Sequence, residues 1–349
     1  MARQDISEDH YLDHKKIFEW GRDVFMKSGV PQEHAEIISR SLVETSLWGI
    51  DSHGVARITH YLGRLENGTI NKNPDFKFDK TAASTGRLDG DDGHGIVIMN
   101  HATKKAIDLA KESGTGVVGV YNSSHCGAIG LYTRQVTEAG MVGIAFTHAD
   151  ALVVPHGGVK PFFGTNPISI AFPTTNKQEP VCLDMATSIV PWNYMMNAKR
   201  EKAKVPLGLG VDKEGKDSEN SEDIVAVKPT AEHKGYALAF MIDLLCGPLN
   251  GMNFGPNMTS MYRDLQKKRK LGSLVMAIDP NRFAGEEYVM QAATAMIKQV
   301  KTHGDDVLFP GEPEYISKRK RTEKGIPVSE AILQDFNSWS QKLGVKPLI

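Results

Sequence analysis

Gly114-Thr115-Gly116-Val117-Val118-Gly119 spells the glycine fingerprint of a dinucleotide fold, but its surroundings run in the wrong order. A Rossmann turn follows a strand and opens a helix, so that phosphates meet the helix N-terminus. Here the spacing of Ala106, Leu109 and Ala110 predicts a helix that ends at Gly114. The β-branched run 117–121 predicts a strand that begins just after it. Gly114 therefore reads as a helix C-cap. A Rossmann site is excluded here, and any dinucleotide must be bound by another route.

The remaining pattern predicts a mixed architecture. Residues 13–66 read as three helices. Ile17, Val24 and Phe25 mark the first, Gly29 and Pro31 break it, and Ala35, Ile38 and Leu42 mark the second. The third spans 52–66. The turn cluster Asn71 to Pro74 marks a boundary. From residue 76, short strands (117–121, 141–147, 168–172, 181–183, 274–278) alternate with helices (95–111, 128–139, within 185–204, 236–245, 287–301, 328–343). This predicts an α/β or mixed α+β fold with helices at both chain ends. The aromatic-free, charged segment 201–223 reads as a surface excursion.

With 41 basic and 42 acidic residues the net charge is −1, which argues against nucleic acid as a partner. Lys318-Arg319-Lys320-Arg321 accordingly reads as a solvated charge run. No apolar stretch is long enough to span a bilayer, and Met1-Ala2-Arg3-Gln4-Asp5 lacks the apolar core of a signal peptide. Cys126, Cys182 and Cys246 are scattered and fit reduced thiols of a cytoplasmic protein. A length of 349 residues suggests two or three domains. No metal-binding spacing appears.

Asp51-Ser52-His53-Gly54-Val55-Ala56-Arg57 carries the strongest chemical signal. In a helix over 52–66, Val55, Ile58, Leu62 and Leu65 form a core stripe, and Ser52 is placed as N-cap. His53, Arg57, His60, Tyr61 and Arg64 fall on the opposite face. That face reads either as solvated or as the wall of a substrate cleft, with an imidazole base and a guanidinium clamp one turn apart.

Other candidates sit at strand ends, where α/β proteins place reactive groups. His125, in Asn122-Ser123-Ser124-His125-Cys126-Gly127, is a general base, a substrate ligand or an inert loop histidine. A Cys126 nucleophile activated by its neighbour is disfavoured by geometry. His148-Ala149-Asp150 follows another strand, and Gly164-Thr165-Asn166-Pro167 is a turn. Asp184 ends an apolar strand, and if buried it needs a donor. A histidine is one such donor, and the pair would fix the tautomer of the ring; capping the next helix is the alternative. His233-Lys234-Gly235-Tyr236 opens an apolar helix, where backbone N–H groups and a lysine suit an anion such as a dinucleotide phosphate.

Taken in order, Asp51-Ser52-His53-Gly54, Arg57, His125-Cys126-Gly127, Gly164-Thr165-Asn166-Pro167, Asp184-Met185-Ala186-Thr187, Lys234-Gly235-Tyr236 and Pro310-Gly311-Glu312 resemble the type 2 malate/L-lactate dehydrogenase family, also called sulfolactate dehydrogenase-like. His125 to Ile129 and Ser260-Met261-Tyr262 are most similar to its ureidoglycolate dehydrogenases, although Ala149, Cys126 and Gly130-Leu131-Tyr132 depart from them. The resemblance spans about residues 10–325. It implies a non-Rossmann, mixed-sheet nicotinamide-binding region (76–310), with a helical domain (1–75) against which 311–349 packs. It implies an NAD(P)-dependent 2-hydroxy acid dehydrogenase, with NAD slightly preferred, acting on a small carboxylate as a homodimer or larger homo-oligomer. Reduction of a cyclic imino acid, or non-catalytic binding on the same scaffold, are the alternatives. The resemblance assigns proton transfer to His53 or His125, with Asp184 completing the catalytic set. A bond from Asp184 would favour His53 as base, leaving His125 to orient the hydroxyl. Ser52, Arg57, Tyr61 and Thr165 would meet the substrate, Arg57 holding its carboxylate. Asp150, Asp184, Met185, Ala186, Lys234, Gly235, Gly311, Glu312 and Pro313 would meet the cofactor.

Overall fold

The computed structural model describes residues 10–349, so the reading of Met1 to Asp5 lies outside the described residues. The chain opens with β1 (His10–Leu12), α1 (His14–Lys27), α2 (Gln32–Leu47), a 3₁₀ turn at Asp51–His53, and α3 (Arg57–Glu66). Then come β2 (Lys77–Lys80), β3 (Thr85–Asp89), α4 (Gly95–Ser113), β4 (Thr115–Ser123), α5 (Gly130–Glu138), β5 (Val142–Thr147), β6 (Ile168–Phe172) and β7 (Val181–Met185). The second half holds α6 (Trp192–Arg200), the two-residue strands β8 (Gly210–Val211) and β9 (Ala226–Val227), α7 (His233–Cys246) and β10 (Leu271–Ile278). It ends with α8 (Glu286–Lys301), α9 (Glu312–Lys324), β11 (Ile326–Val328) and α10 (Glu330–Leu343).

A seven-stranded mixed sheet organises the middle of the chain, in the order β2-β3-β4-β10-β5-β6-β7. Only β3 and β4 run parallel; every other pair is antiparallel. The late strand β10 inserts between β4 and β5, and six of its eight residues are buried. Such a strand is covered on both faces, which is why it reads as a continuous apolar run. α4 and α5 pack with it through Ile98, Ala102, Ala106, Val118, Val136 and Val275.

The glycines of the misleading fingerprint find structural uses. Gly114 has φ 86° and caps α4, donating to the Ala110 carbonyl at 2.8 Å. A Cβ on Gly116 would collide with the Ala106 carbonyl, so this glycine lets α4 press directly on β4.

A second core joins the two chain ends. Ile17, Phe25, Ile38, Leu42, Ile58 and Leu62 pack with Ile326, Leu333 and Phe336, and β1 pairs with β11. The segment 201–223 is partly tethered. Val205 and the adjoining Ile224 share a small core with Val153, Phe163 and Met195, and β8 pairs with β9. β1, β2, β3, β11 and α9 had no counterpart in the sequence pattern.

The helix expected over 52–66 begins only at Arg57. Gly54 breaks it, with φ −93° and ψ −146°. A side chain there would strike Ser46, whose hydroxyl accepts from the Val55 N–H at 3.0 Å. Ser52 is therefore not an N-cap.

Candidate active site

A cleft of about 260 Å³ gathers residues from widely separated segments of the chain. The 3₁₀ turn and α3 supply Ser52, His53 and Arg57. The β4–α5 loop supplies His125 and Gly127, and the end of β5 supplies Asp150. Thr165 comes from the turn before β6, and Asp184, Met185 and Ala186 from the end of β7. Met261, Tyr262 and Arg269 come from the loop before β10, and Glu314 from α9.

The two imidazoles lie side by side, ring centroids 5.4 Å apart and 23° from parallel. Nδ1 of His53 is 2.8 Å from the Ser52 hydroxyl. Nδ1 of His125 is 2.6 Å from the Tyr61 hydroxyl and accepts from the Gly127 N–H at 3.3 Å. Burial and the Arg57 charge pull His53 down to about 3. Burial, then His53 and Arg57, hold His125 well below its ordinary value. Both rings are neutral at pH 7.

Arg57 is 8% exposed. Its Nε donates to the Ser52 carbonyl at 2.7 Å, and Nη2 lies 3.4 Å from the Tyr262 hydroxyl, which donates to Asn193. One edge of the guanidinium is thus anchored, and the group faces the cleft.

Several expectations need correction. Asp184 does not bond His53. Its Oδ2 accepts from the Gly130 N–H at 2.8 Å, and its charged neighbour is Arg134. Burial raises its carboxyl to about 6, against the lowering effects of Gly130 and Arg134. Tyr61 and Arg64 do not face solvent: Tyr61 lies behind His125 rather than in the cleft wall, and Arg64 donates to the carbonyls of Ser260, Met261, Asp264 and Lys267. That loop covers the second face of α3. Cys126 is buried, and burial pushes its thiol up to about 11, which removes the nucleophile.

His148 is a structural tie. Its Nε2 accepts from the Gly272 N–H and its Nδ1 donates to Asp243, joining β5, β10 and α7. Asp150 pairs with Arg269 at 2.9 Å and accepts from the Met261 N–H. Arg269, unanticipated in the sequence, is 4% exposed, and its Nε and Nη1 have no partner.

Lys234, Gly235, Gly311, Glu312 and Pro313 do not line this cleft. Lys234 is exposed on the first turn of α7, after Ala231 and Glu232, which both adopt positive φ. Gly311, with φ 99°, starts α9, and the Pro310 carbonyl accepts from Cys182 of β7. Glu312 pairs with Lys301 and accepts from the Phe309 N–H. The run 318–321 is not simply solvated: Lys318, Arg319 and Arg321 pair with Glu44, Glu179 and Asp51. Among the described residues no helix is long and apolar enough to cross a membrane.

Residues 12–337 match the family model described as malate/L-lactate dehydrogenase. The chain is 33% identical over 320 residues to malate/(S)-sulfolactate dehydrogenase of Methanothermus fervidus, covering 91% of this chain and 94% of that protein. It is 33% identical to the ureidoglycolate dehydrogenase (NAD(+)) of Escherichia coli K12, covering 88% and 89%. The solved sulfolactate dehydrogenase of Methanocaldococcus jannaschii superposes with a TM-score of 0.90 at 32% identity, over 97% of this chain and 98% of that one. The chain belongs to the malate/L-lactate dehydrogenase family.

Proposed function

We propose that this dehydrogenase acts on a small 2-hydroxy acid carrying a second anionic group, malate or sulfolactate in type, with NAD as cofactor. The stacked pair His53 and His125 beside Arg57 carries the reading. Arg57 binds the carboxylate next to the reacting carbon, using donors that its backbone anchor leaves free. Arg269 lines the same cleft, and its guanidinium meets the second anion. Asp150 holds Arg269 rather than the cofactor.

The cleft also fits a nicotinamide. Leu152, Ile129, Pro191 and the Met185–Ala186 stretch give apolar walls, and the carboxylates Asp184 and Glu314 provide polar edges. Asp184, Met185 and Ala186 would hold the ring end. Lys234 and Gly235, at the start of α7, and the Gly311 to Pro313 turn are assigned to the remainder of the dinucleotide. The strained pair Ala231–Glu232 supports a binding role at that helix start. When bound, the cofactor accepts the hydride from the substrate carbon.

The chain's own residues handle the proton. His53 is neutral, and with Nδ1–H given to Ser52, its Nε2 accepts the hydroxyl proton. Thr165 borders the substrate space. Asp184 orders the β4–α5 loop through Gly130 and is not a proton carrier.

A second copy of the chain is the partner that suits α7. This helix is apolar almost all round, and Phe240, Met241 and Leu244 stand exposed on it. Light scattering should give a dimer or larger mass.

Cofactor absorbance with NADH and NADPH across a panel of 2-oxo acids tests the reading. Turnover of oxaloacetate or 3-sulfopyruvate above pyruvate is expected. No oxidation with any acid would overturn it.

A further inference from the structure

The β4–α5 loop reaches into the cleft with one ring whose protonation is decided from behind. Nδ1 of His125 faces two groups at once, the Tyr61 hydroxyl at 2.6 Å and the Gly127 backbone N–H at 3.3 Å. A phenol can donate or accept, but an amide N–H can only donate. Nδ1 must therefore be the unprotonated nitrogen, and the phenol is then its second donor. Gly127 reaches this position at φ 72°, where a side-chain-bearing residue is strained, so the amide is aimed by backbone geometry.

Tyr61 is held for the task. It lies four residues after Arg57 on α3, so one helix face carries both the carboxylate clamp and this hydroxyl. It is 1% exposed, its ring packs edge-on against His94 with centroids 4.4 Å apart, and it does not line the cleft. Burial raises its phenol far above the usual range, so it stays a neutral donor.

We propose that Tyr61 is a positioning residue that locks His125 as its Nε2–H tautomer, making that ring a hydrogen-bond donor to the reacting oxygen. This rests on the dehydrogenase reading above and separates the two histidines by role. As the hydride leaves the substrate carbon for the nicotinamide, the hydroxyl proton passes to His53 Nε2 and the C–O bond becomes a carbonyl. His125 keeps its own proton throughout and steadies the charge that develops on oxygen. In the reverse direction His53 returns the proton and His125 polarises the carbonyl.

The test joins spectroscopy on the unaltered enzyme to one near-isosteric variant. In protein labelled with ¹⁵N-histidine, with His125→Asn used only to assign the signal, Nδ1 should carry the unprotonated shift and Nε2 the protonated one at pH 6–8. Tyr61→Phe should lower kcat about tenfold while KM for the 2-oxo acid stays within about twofold, because one neutral hydrogen bond outside the binding surface is lost. The same variant should shift His125 toward a mixture of tautomers, which a loss of packing alone would not do. A protonated Nδ1 in the unaltered enzyme overturns the proposal. So does an unchanged kcat in Tyr61→Phe, or a loss that appears entirely in KM. The nitrogen shifts remain readable even if no 2-oxo acid is turned over, so failure of the dehydrogenase reading is told apart from failure of the tautomer lock.

Discussion

Arg321 grips Asp51 at two points, Nη1 to Oδ1 at 2.5 Å and Nη2 to Oδ2 at 2.9 Å, and Nη1 also donates to the Ser46 carbonyl. The pair links the end of α9 to the turn that carries His53. The start of the same helix places Glu314 in the cleft wall. One helix thus braces two sides of the site. Breaking a partly buried pair from one side strands the other charge, at a cost of about 1–3 kcal/mol. Arg321→Met is expected to lower stability in that range and kcat/KM about tenfold, because His53 loses its anchor. Asp51→Asn should do nearly the same, and the double variant little more. A double-mutant cycle by denaturation and kinetics checks this; fully additive losses would refute the brace.

The two cleft arginines should separate by substrate. Arg57→Lys loses the planar fork and is expected to cut kcat/KM by about 30- to 150-fold for every 2-oxo acid, the loss of one charge-assisted contact. Arg269→Met should cut it by a similar factor for oxaloacetate and 3-sulfopyruvate, yet spare pyruvate. The measurement is the ratio of kcat/KM between diacid and monoacid. An equal loss on pyruvate would remove Arg269 from substrate selection.

What the sequence disclosed about this site follows from how locally each feature is encoded. The reversed order of helix and strand around Gly114 to Gly119 was readable because both elements have strong periodicity. His125, Asp150, Thr165 and Asp184 were found because strand ends and turns announce themselves in short windows. Tyr61 and Arg64 were misplaced for the opposite reason. The helical period identifies the stripe of Ile58, Leu62 and Leu65 but does not say what lies on the other face, and a loop two hundred residues later covers it. Arg269 gave no signal, since its partner Asp150 is 119 residues away and its segment is irregular. The expected bond from Asp184 to His53 fails because the Gly130 N–H reaches the carboxylate from a neighbouring loop. α9 was missed because its solvent face is so rich in charge that little apolar period remains.

His53 and His125 should differ in kind when altered. His53→Asn removes the proton acceptor and is expected to lower kcat about 10²- to 10⁴-fold. His125→Asn keeps a donor near the oxygen and should lose less, about 10- to 100-fold. The pH profile adds a sign. A base works in its neutral form, so activity is lost as pH falls through its pKa. With His53 lowered to about 3, the acid limb of kcat/KM should lie well below pH 6.5. An acid limb near 6.5 that persists in His125→Asn would contradict the lowered base.

The same depressed histidines should make the fold sensitive to acid. His53, His60 and His94 are each lowered to about 3, and His125 well below its ordinary value, with burial the largest cause in every case. Between pH 6.5 and 3 the unfolded chain protonates these rings while the folded chain does not, so stability falls as pH falls through that window. Asp184 acts in the opposite sense: raised to about 6, it takes up its proton sooner in the folded state and offsets part of the loss above its unfolded value of 3.8. A fully shifted histidine contributes at most about 1.4 kcal/mol per pH unit, and His53 and His60, which are only partly buried, contribute less. The urea midpoint should therefore drop clearly between pH 7.5 and 5.0. His94 is buried and caps α4, accepting from the Ile96 N–H through Nδ1. His94→Asn retains a capping oxygen, so it should flatten the acid loss while lowering the midpoint at pH 7.5 only modestly. Equal midpoints at pH 7.5 and 5.0 in the unaltered protein would mean that these rings are protonated in the folded state after all.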